Sequence, residues 1–293
     1  MNAMSSLPAG VASRARHPSG ATPEAAAAGP ACACEPARPP LLAVDGLVKR
    51  YGGLTATDGF SITVGPGEIH AVIGPNGAGK TTLIGQLAGE LAPDAGTIRF
   101  DGRDITRAPA HQRALAGLAR SYQVTSVFPE FTALQNVALA VQAHRGHSFR
   151  FWQPVLASRE LLAPAYAALG QVGLAHRAGT LAAEMAHGEH RQLELAMALA
   201  TAPRLLLLDE PMAGMSQLES ERMVALLQGL RGRLGMVLVE HDMDAVFALA
   251  DRITVLVYGR PLACGTPDQI RNHPQVKAAY LGDQEQAFQA GSR

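Results

Sequence analysis

Short, unbroken apolar runs recur along the chain, and several of them stop at residues that carry chemistry. Ile69-His70-Ala71-Val72-Ile73 runs into a glycine-rich stretch, Leu205-Leu206-Leu207-Leu208 into Asp209-Glu210, and Met236-Val237-Leu238-Val239 into Glu240-His241. A fourth run, Ile253–Val257, follows. Continuous apolar character, rather than alternation, predicts strands buried on both faces, as in a parallel sheet. Helical patterns separate these runs, over about 81–88 and 218–231 and again before residue 253. Strand and helix in alternation predict right-handed crossovers, with the ligand at the C-terminal ends of the strands.

The rest of the chain follows other patterns. Leu41–Val44, Phe60–Val64 and Thr97–Phe100 read as antiparallel strands. Turns are expected at Gly52-Gly53, Gly65-Pro66-Gly67, Pro93–Gly96 and Asp101-Gly102. From about 133 to 175 the period is helical, with Leu134, Val137, Ala138 and Val141 on one face and Pro154 and Pro164 as punctuation. Trp152 in this part reads either as an anchor for a partner or as an aromatic plug of the helical region. Residues 1–40 are rich in Ala, Pro, Gly and Ser and have almost no large apolar residues, so a disordered tail is expected there. They also lack the apolar core of a secretory signal.

The stretch between the first apolar run and the first helix changes the picture. Gly74-Pro75-Asn76-Gly77-Ala78-Gly79-Lys80-Thr81-Thr82 matches the phosphate-binding loop pattern. Gly74, Gly77 and Gly79 keep side chains away from backbone N–H groups that cradle phosphates. Lys80 then reaches the β- and γ-phosphates, the Thr81 hydroxyl coordinates Mg²⁺, and the helix N-terminus faces the anion. The fold class expected is therefore α/β: a phosphate-loop NTPase core with a mainly parallel sheet, an N-terminal antiparallel β subdomain and a helical subdomain spanning about 124–200.

Composition removes several alternatives. The chain has 293 residues and a formal net charge of zero, which points to no nucleic-acid partner. No apolar run approaches the roughly 18–20 residues of a membrane span, so any membrane role goes through partner proteins. Cys32, Cys34 and Cys264 are too few and too badly placed for a disulfide framework, and a reducing cytosol fits.

Candidate chemistry gathers at the ends of the apolar runs. Asp209 is placed to hold Mg²⁺ directly or through water, and Glu210 to orient or deprotonate an attacking water. Gln123 can touch both metal and water through its amide. His241 is suited to a γ-phosphate contact.

Taken together these residues resemble the ATP-binding subunits of ABC transporters, over roughly residues 41–283, which leaves 284–293 as a C-terminal tail. Tyr51 is similar to the aromatic residue that stacks on adenine. Residues 74–82 resemble the Walker A loop, Gln123 the Q-loop glutamine, Leu205–Glu210 the Walker B strand and His241 the switch histidine. Met185–Gln192 falls where the family has its signature motif, so the resemblance places Ala186, Gly188 and Glu189 against the ATP of an opposing subunit. Two positions depart from the pattern: Ala186 replaces the signature serine, and Ser216 stands near where many relatives carry an aspartate. Ala213-Gly214-Met215, Val239–Met243, Gly265-Thr266-Pro267 and Ala279–Gly282 resemble the subgroup serving branched-chain amino-acid and urea-type importers.

The resemblance implies an ATPase with ATP and Mg²⁺ as cofactors. It implies pairing with a second ATP-binding subunit, heteromeric or a second copy. It further implies two membrane permease subunits, a periplasmic solute-binding protein and a place on the cytoplasmic face of the inner membrane. The cargo expected is a small solute, with amino acids first. Urea transport, lipid or lipopolysaccharide transport, and a soluble ABC ATPase acting on ribosomes or DNA are the rival readings. A single cassette, the absence of sustained heptads and the neutral charge speak against the last.

Overall fold

The computed structural model describes residues 39–121, 127–145 and 159–279. Two sheets form its frame. The larger has six strands in the order β10-β9-β3-β8-β7-β6. In chain order these are β3 (Ile69–Ile73), β6 (Leu118–Ser121), β7 (Leu205–Asp209), β8 (Gly235–Val239), β9 (Arg252–Val257) and β10 (Arg260–Gly265). All pairs are parallel except the β9–β10 hairpin. Every residue of β3, β7 and β8 is buried, as continuous apolar runs require of central strands. The smaller sheet is antiparallel, in the order β2-β1-β4-β5, with β1 (Leu42–Tyr51), β2 (Leu54–Val64), β4 (Ala95–Phe100) and β5 (Arg103–Asp104).

Helix α1 (Lys80–Ala88) lies between the two sheets, and its Leu83, Ile84 and Leu87 join one core with Leu42, Phe60, Val72, Leu207 and Val239. A second core joins the other face of the parallel sheet to the helical region. It packs Leu206, Leu208 and Met236 against α3 (Ala133–His144), α4 (Arg159–Gln171), α5 (His187–Leu199) and α6 (Gln217–Leu230). Among the described residues, the expected helical stretch of 133–175 contains α3 and α4, and Pro164 sits within α4 rather than ending it. A third core packs α7 (Met243–Leu249) and α8 (Pro267–Asn272) on β9 and β3.

Several elements were not anticipated. Strands β1 and β2 run far beyond the apolar cores read from sequence, up to the Gly52-Gly53 turn. Strand β6, strand β10 and the short helix α2 (Ala110–Leu115) have no clear apolar period. Cys264 on β10 is disulfide-bonded, and the other two cysteines lie outside the described residues. The two tails, Gln123 and Trp152 lie outside the described residues.

Candidate functional site

The C-terminal ends of β3, β8 and β7 lie side by side, and each delivers its chemistry to the same edge. The loop of residues 74–79 leaves β3 and turns directly into α1. Its glycines are demanded by protein neighbours as much as by any ligand. A Cβ on Gly74 would run into the Leu256 carbonyl oxygen, and one on Gly79 into that of Ala56. Gly79 also holds φ at +101°, where other residues are strained. Around Gly77 there is open space on the Cβ side.

Lys80 curls back into this loop. Its Nζ donates to the carbonyls of Gly74 at 2.7 Å and Pro75 at 3.0 Å. Burial pulls its pKa down, opposed by the charges of Glu210 and Asp209. Those carboxylates are therefore close enough to act on the lysine, as a metal- and phosphate-binding group would require. Thr81 and Thr82 follow in the first turn of α1.

Asp209 closes β7 with its side chain almost fully buried, and Arg120 on β6 donates to its Oδ2 at 3.1 Å. Burial pushes the Asp209 carboxyl above the usual carboxylate range, and Arg120 pulls it back. Glu210 adopts φ +51°, a left-handed conformation uncommon outside glycine. Two backbone bonds hold it there: its N–H donates to Val239 O at 2.8 Å and its carbonyl accepts from Ala213 N at 3.1 Å. Strain of about 1–3 kcal/mol persists at such positions only when the surroundings enforce it.

His241 follows β8 with its side chain 63% exposed. The residue before it, Glu240, is fully buried. One Glu240 oxygen accepts from Met212 N at 2.9 Å and the other from His241 N at 3.1 Å. Burial raises the Glu240 pKa, and these amides hold it down in part. Glu240 thus ties the segment after Glu210 to the segment carrying His241.

Tyr51 lies at the end of β1 with 46% of its surface exposed, and the Lys49 ammonium stands 5.6 Å from the ring centroid. At the far end of the helical region, Ala186 is the N-cap of α5 and offers no side-chain acceptor. Glu189 reaches back to the Ala186 N–H at 2.9 Å and pairs with Arg177 at 3.0 Å. Gly188 abuts the Glu219 carboxylate, which also caps α6 through Ser216. Within this chain, then, Lys80, Asp209, Glu210 and His241 share one sheet edge, whereas residues 186–189 belong to a separate helix terminus. Sequence reasoning names Glu240 only as the neighbour of His241 and does not single out Arg120; a charged residue flanking a buried strand end was the available signal.

The donors fit Mg²⁺. A buried carboxylate and the Thr81 hydroxyl are hard oxygen ligands, and Mg²⁺ takes few protein ligands and completes its shell with phosphate and water. No cluster of three or more His, Cys, Asp or Glu is present among the described residues, so a cage made by protein alone is not what this site offers.

A parallel sheet with a glycine loop feeding α1, and an acidic pair on a neighbouring strand, defines a phosphate-loop nucleoside triphosphatase. The comparisons carry this further. Residues 57–213 match the ABC transporter family, and residues 260–286 match the family described as branched-chain amino acid ATP-binding cassette transporter. The chain is 41% identical over 251 residues to the high-affinity branched-chain amino acid transport ATP-binding protein BraF of Pseudomonas aeruginosa, covering 83% of this chain and 98% of the relative. LivG of Escherichia coli, of the same description, is 39% identical over 253 residues, with the same coverage. Among solved structures, the ADP conformation of MJ1267, an ATP-binding cassette of an ABC transporter, superposes with a TM-score of 0.75 at 27% identity, over 84% of this chain and all of that one. The chain belongs to the ABC transporter ATP-binding family and is an ATPase. No helix among the described residues is long and apolar enough to cross a membrane.

Proposed function

We propose that this chain powers the import of small solutes, with branched-chain amino acids as the cargo class, by hydrolysing ATP on the cytoplasmic face of the inner membrane. The observation that carries the hydrolytic part is the convergence of Lys80, Asp209, Glu210 and His241 on one sheet edge. The named relatives and the C-terminal match support the cargo. Residues 41–283 form the ATPase domain, with residues 124–200 as its helical subdomain.

In this reading residues 74–82 cradle the phosphates, and Lys80 exchanges its two loop carbonyls for phosphate oxygens. Tyr51 stacks on the adenine. Thr81, Asp209 and Gln123 hold Mg²⁺, which when bound neutralises charge on the β- and γ-phosphate oxygens. Glu210 takes the proton of the attacking water, and its constrained backbone aims the carboxylate. His241 contacts the γ-phosphate. Ala186, Gly188 and Glu189 present the N-terminus of α5 to the nucleotide of a second ATP-binding subunit.

Two permease subunits and a periplasmic solute-binding protein complete the assembly. A cleft of about 230 Å³ opens between α1, α2, β6 and α5, lined by Ala88, Ala114, Leu118, Met197 and Ala198. Its small apolar lining beside the edge strand suits a helical segment of a permease.

The test is a pair of variants in the reconstituted transporter. Lys80→Ala is expected to lose ATP affinity. Glu210→Gln is expected to retain ATP, trap a closed dimer and reduce turnover by at least about a hundredfold. Unchanged turnover in Glu210→Gln would refute the assignment of the base. Uptake of labelled leucine that tracks ATP hydrolysis supports the cargo, and hydrolysis without uptake of any branched-chain amino acid overturns it.

A further inference from the structure

Arg120 stands where two regions meet. Its guanidinium bridges two carboxylates: Nη1 pairs with Glu90, just past the end of α1, and Nη2 donates to Asp209 at 3.1 Å. The same side chain lines the cleft beside β6, together with Ala88, Ala114 and Glu194. It is only 10% exposed, and the Asp209 side chain 1%. A buried carboxylate without a cation is costly, so Asp209 requires a positive partner when no metal is bound. A guanidinium on Asp209 Oδ2 takes part of the carboxylate's acceptor capacity and puts a positive charge beside any metal ion bound there, so the two compete for Asp209.

We propose that Arg120 is a placeholder cation that couples the cleft to the metal carboxylate. It holds Asp209 in position while the site lacks metal, and gives up that contact toward Glu90 and the cleft when Mg–ATP enters. The inference rests on the reading of Asp209 as the metal-facing carboxylate. Its consequence is reciprocal: whatever fills the cleft restricts where the guanidinium can go, and so alters metal affinity by the same factor that metal alters affinity in the cleft. Arg120 is a positioning residue here and touches no substrate.

The experiment uses the isolated full chain with ATP, and follows Mn²⁺ uptake by its paramagnetic resonance signal. Mn²⁺ takes the same oxygen ligands as Mg²⁺. Arg120→Gln removes the competitor and is expected to lower the Mn²⁺ half-saturation about tenfold, since a full charge beside the site is removed. Arg120→Lys keeps the charge but cannot grip Glu90 and Asp209 together. It is expected to shift in the same direction by about threefold, and it serves if the Gln variant does not fold. Ala114→Phe, which fills the cleft from the exposed face of α2, is expected to raise the half-saturation. Equal half-saturation in Arg120→Gln and wild type, or a rise in Arg120→Gln, overturns the placeholder. An unaltered value in Ala114→Phe overturns the coupling to the cleft. If wild-type ATP complex takes up no Mn²⁺ at all, the fault lies with the metal reading of Asp209 itself.

Discussion

His70 is the least expected residue of β3. It lies in an otherwise apolar central strand, fully buried, with Nε2 2.8 Å from Thr254 Oγ1 and Nδ1 3.3 Å from Glu68. Burial pushes its pKa below 6.5, opposed by Glu68 and aided by the charge of Arg252. Well above pH 6.5 the ring is neutral in both folded and unfolded chains, and the group costs nothing. Below it only the unfolded chain takes up the proton, so stability falls with pH by up to about 1.4 kcal/mol per unit until the folded value is reached. Denaturant melts at pH 7.5, 6.0 and 5.0 are expected to show this loss, and His70→Asn is expected to flatten the slope between 6.5 and 5.0. An equal slope in both proteins would assign the pH dependence to other groups.

At the scale of elements, α1 is held at both ends by unusual means. Its N-terminus has no side-chain cap, because that end faces the phosphate loop. Its C-terminal carbonyls are satisfied by Arg113 of α2, which is 1% exposed. Arg113 donates Nη1 to Gln86 O and Leu87 O, Nε to Ala108 O and Nη2 to Thr106 O. Burial lowers its pKa to about 10, so it stays charged at neutral pH and opposes the negative end of the helix. Arg113→Ala strands these carbonyls, and is expected to cost about 2–4 kcal/mol in chemical denaturation. Arg113→Lys is expected to recover part of that loss. A change under about 0.5 kcal/mol in Arg113→Ala would mean that water replaces the guanidinium.

Legibility followed the same division among elements. Strands β3, β7 and β8 were readable because five buried positions in a row leave a nearly continuous apolar signal, interrupted in β3 only by His70, that stops at a functional residue. Strand β6 was not: it has four residues, three of them half-buried, and includes Arg120. Strand β10 carries Pro261 on the sheet edge, which reads as a loop. The phosphate loop, Asp209, Glu210 and His241 were visible as motifs. The Arg120 bridge was not, because its partners lie 30 and 89 positions away and only folding brings them together.

At the scale of the whole molecule, the loop edge and the α5 terminus lie on separate elements, and the proposed working unit joins this chain's loop edge to another subunit's α5. Ala186 caps α5 without a hydroxyl; in the proposed pairing, the site this would weaken is the partner's, not the one at Lys80. A hydrogen bond to a charged group contributes about 1.5–3 kcal/mol, and its loss slows a site roughly ten- to a hundredfold. This favours pairing with a different subunit that has an intact signature. With each site measured while the other's catalytic glutamate is disabled, Ala186→Ser is expected to speed the partner's site and leave this chain's own unchanged. No change at either would mean that the backbone amides and the helix dipole suffice.

The strand register has a consequence for how such a chain can vary over generations. Asp209 pairs with Val239, and Leu205 to Leu208 pair in order with Gly235 to Leu238. Glu210 and Glu240 thus sit one step beyond a matched pair of strand ends. The interior of those strands is aliphatic, where exchanges among Leu, Ile and Val of similar volume are mild. Insertion or deletion of one residue within β7 or β8 would instead move a functional group by about 3.3 Å and turn it to the opposite face. Lineages of this chain can therefore drift widely in the letters of β7 and β8, while their lengths stay constant.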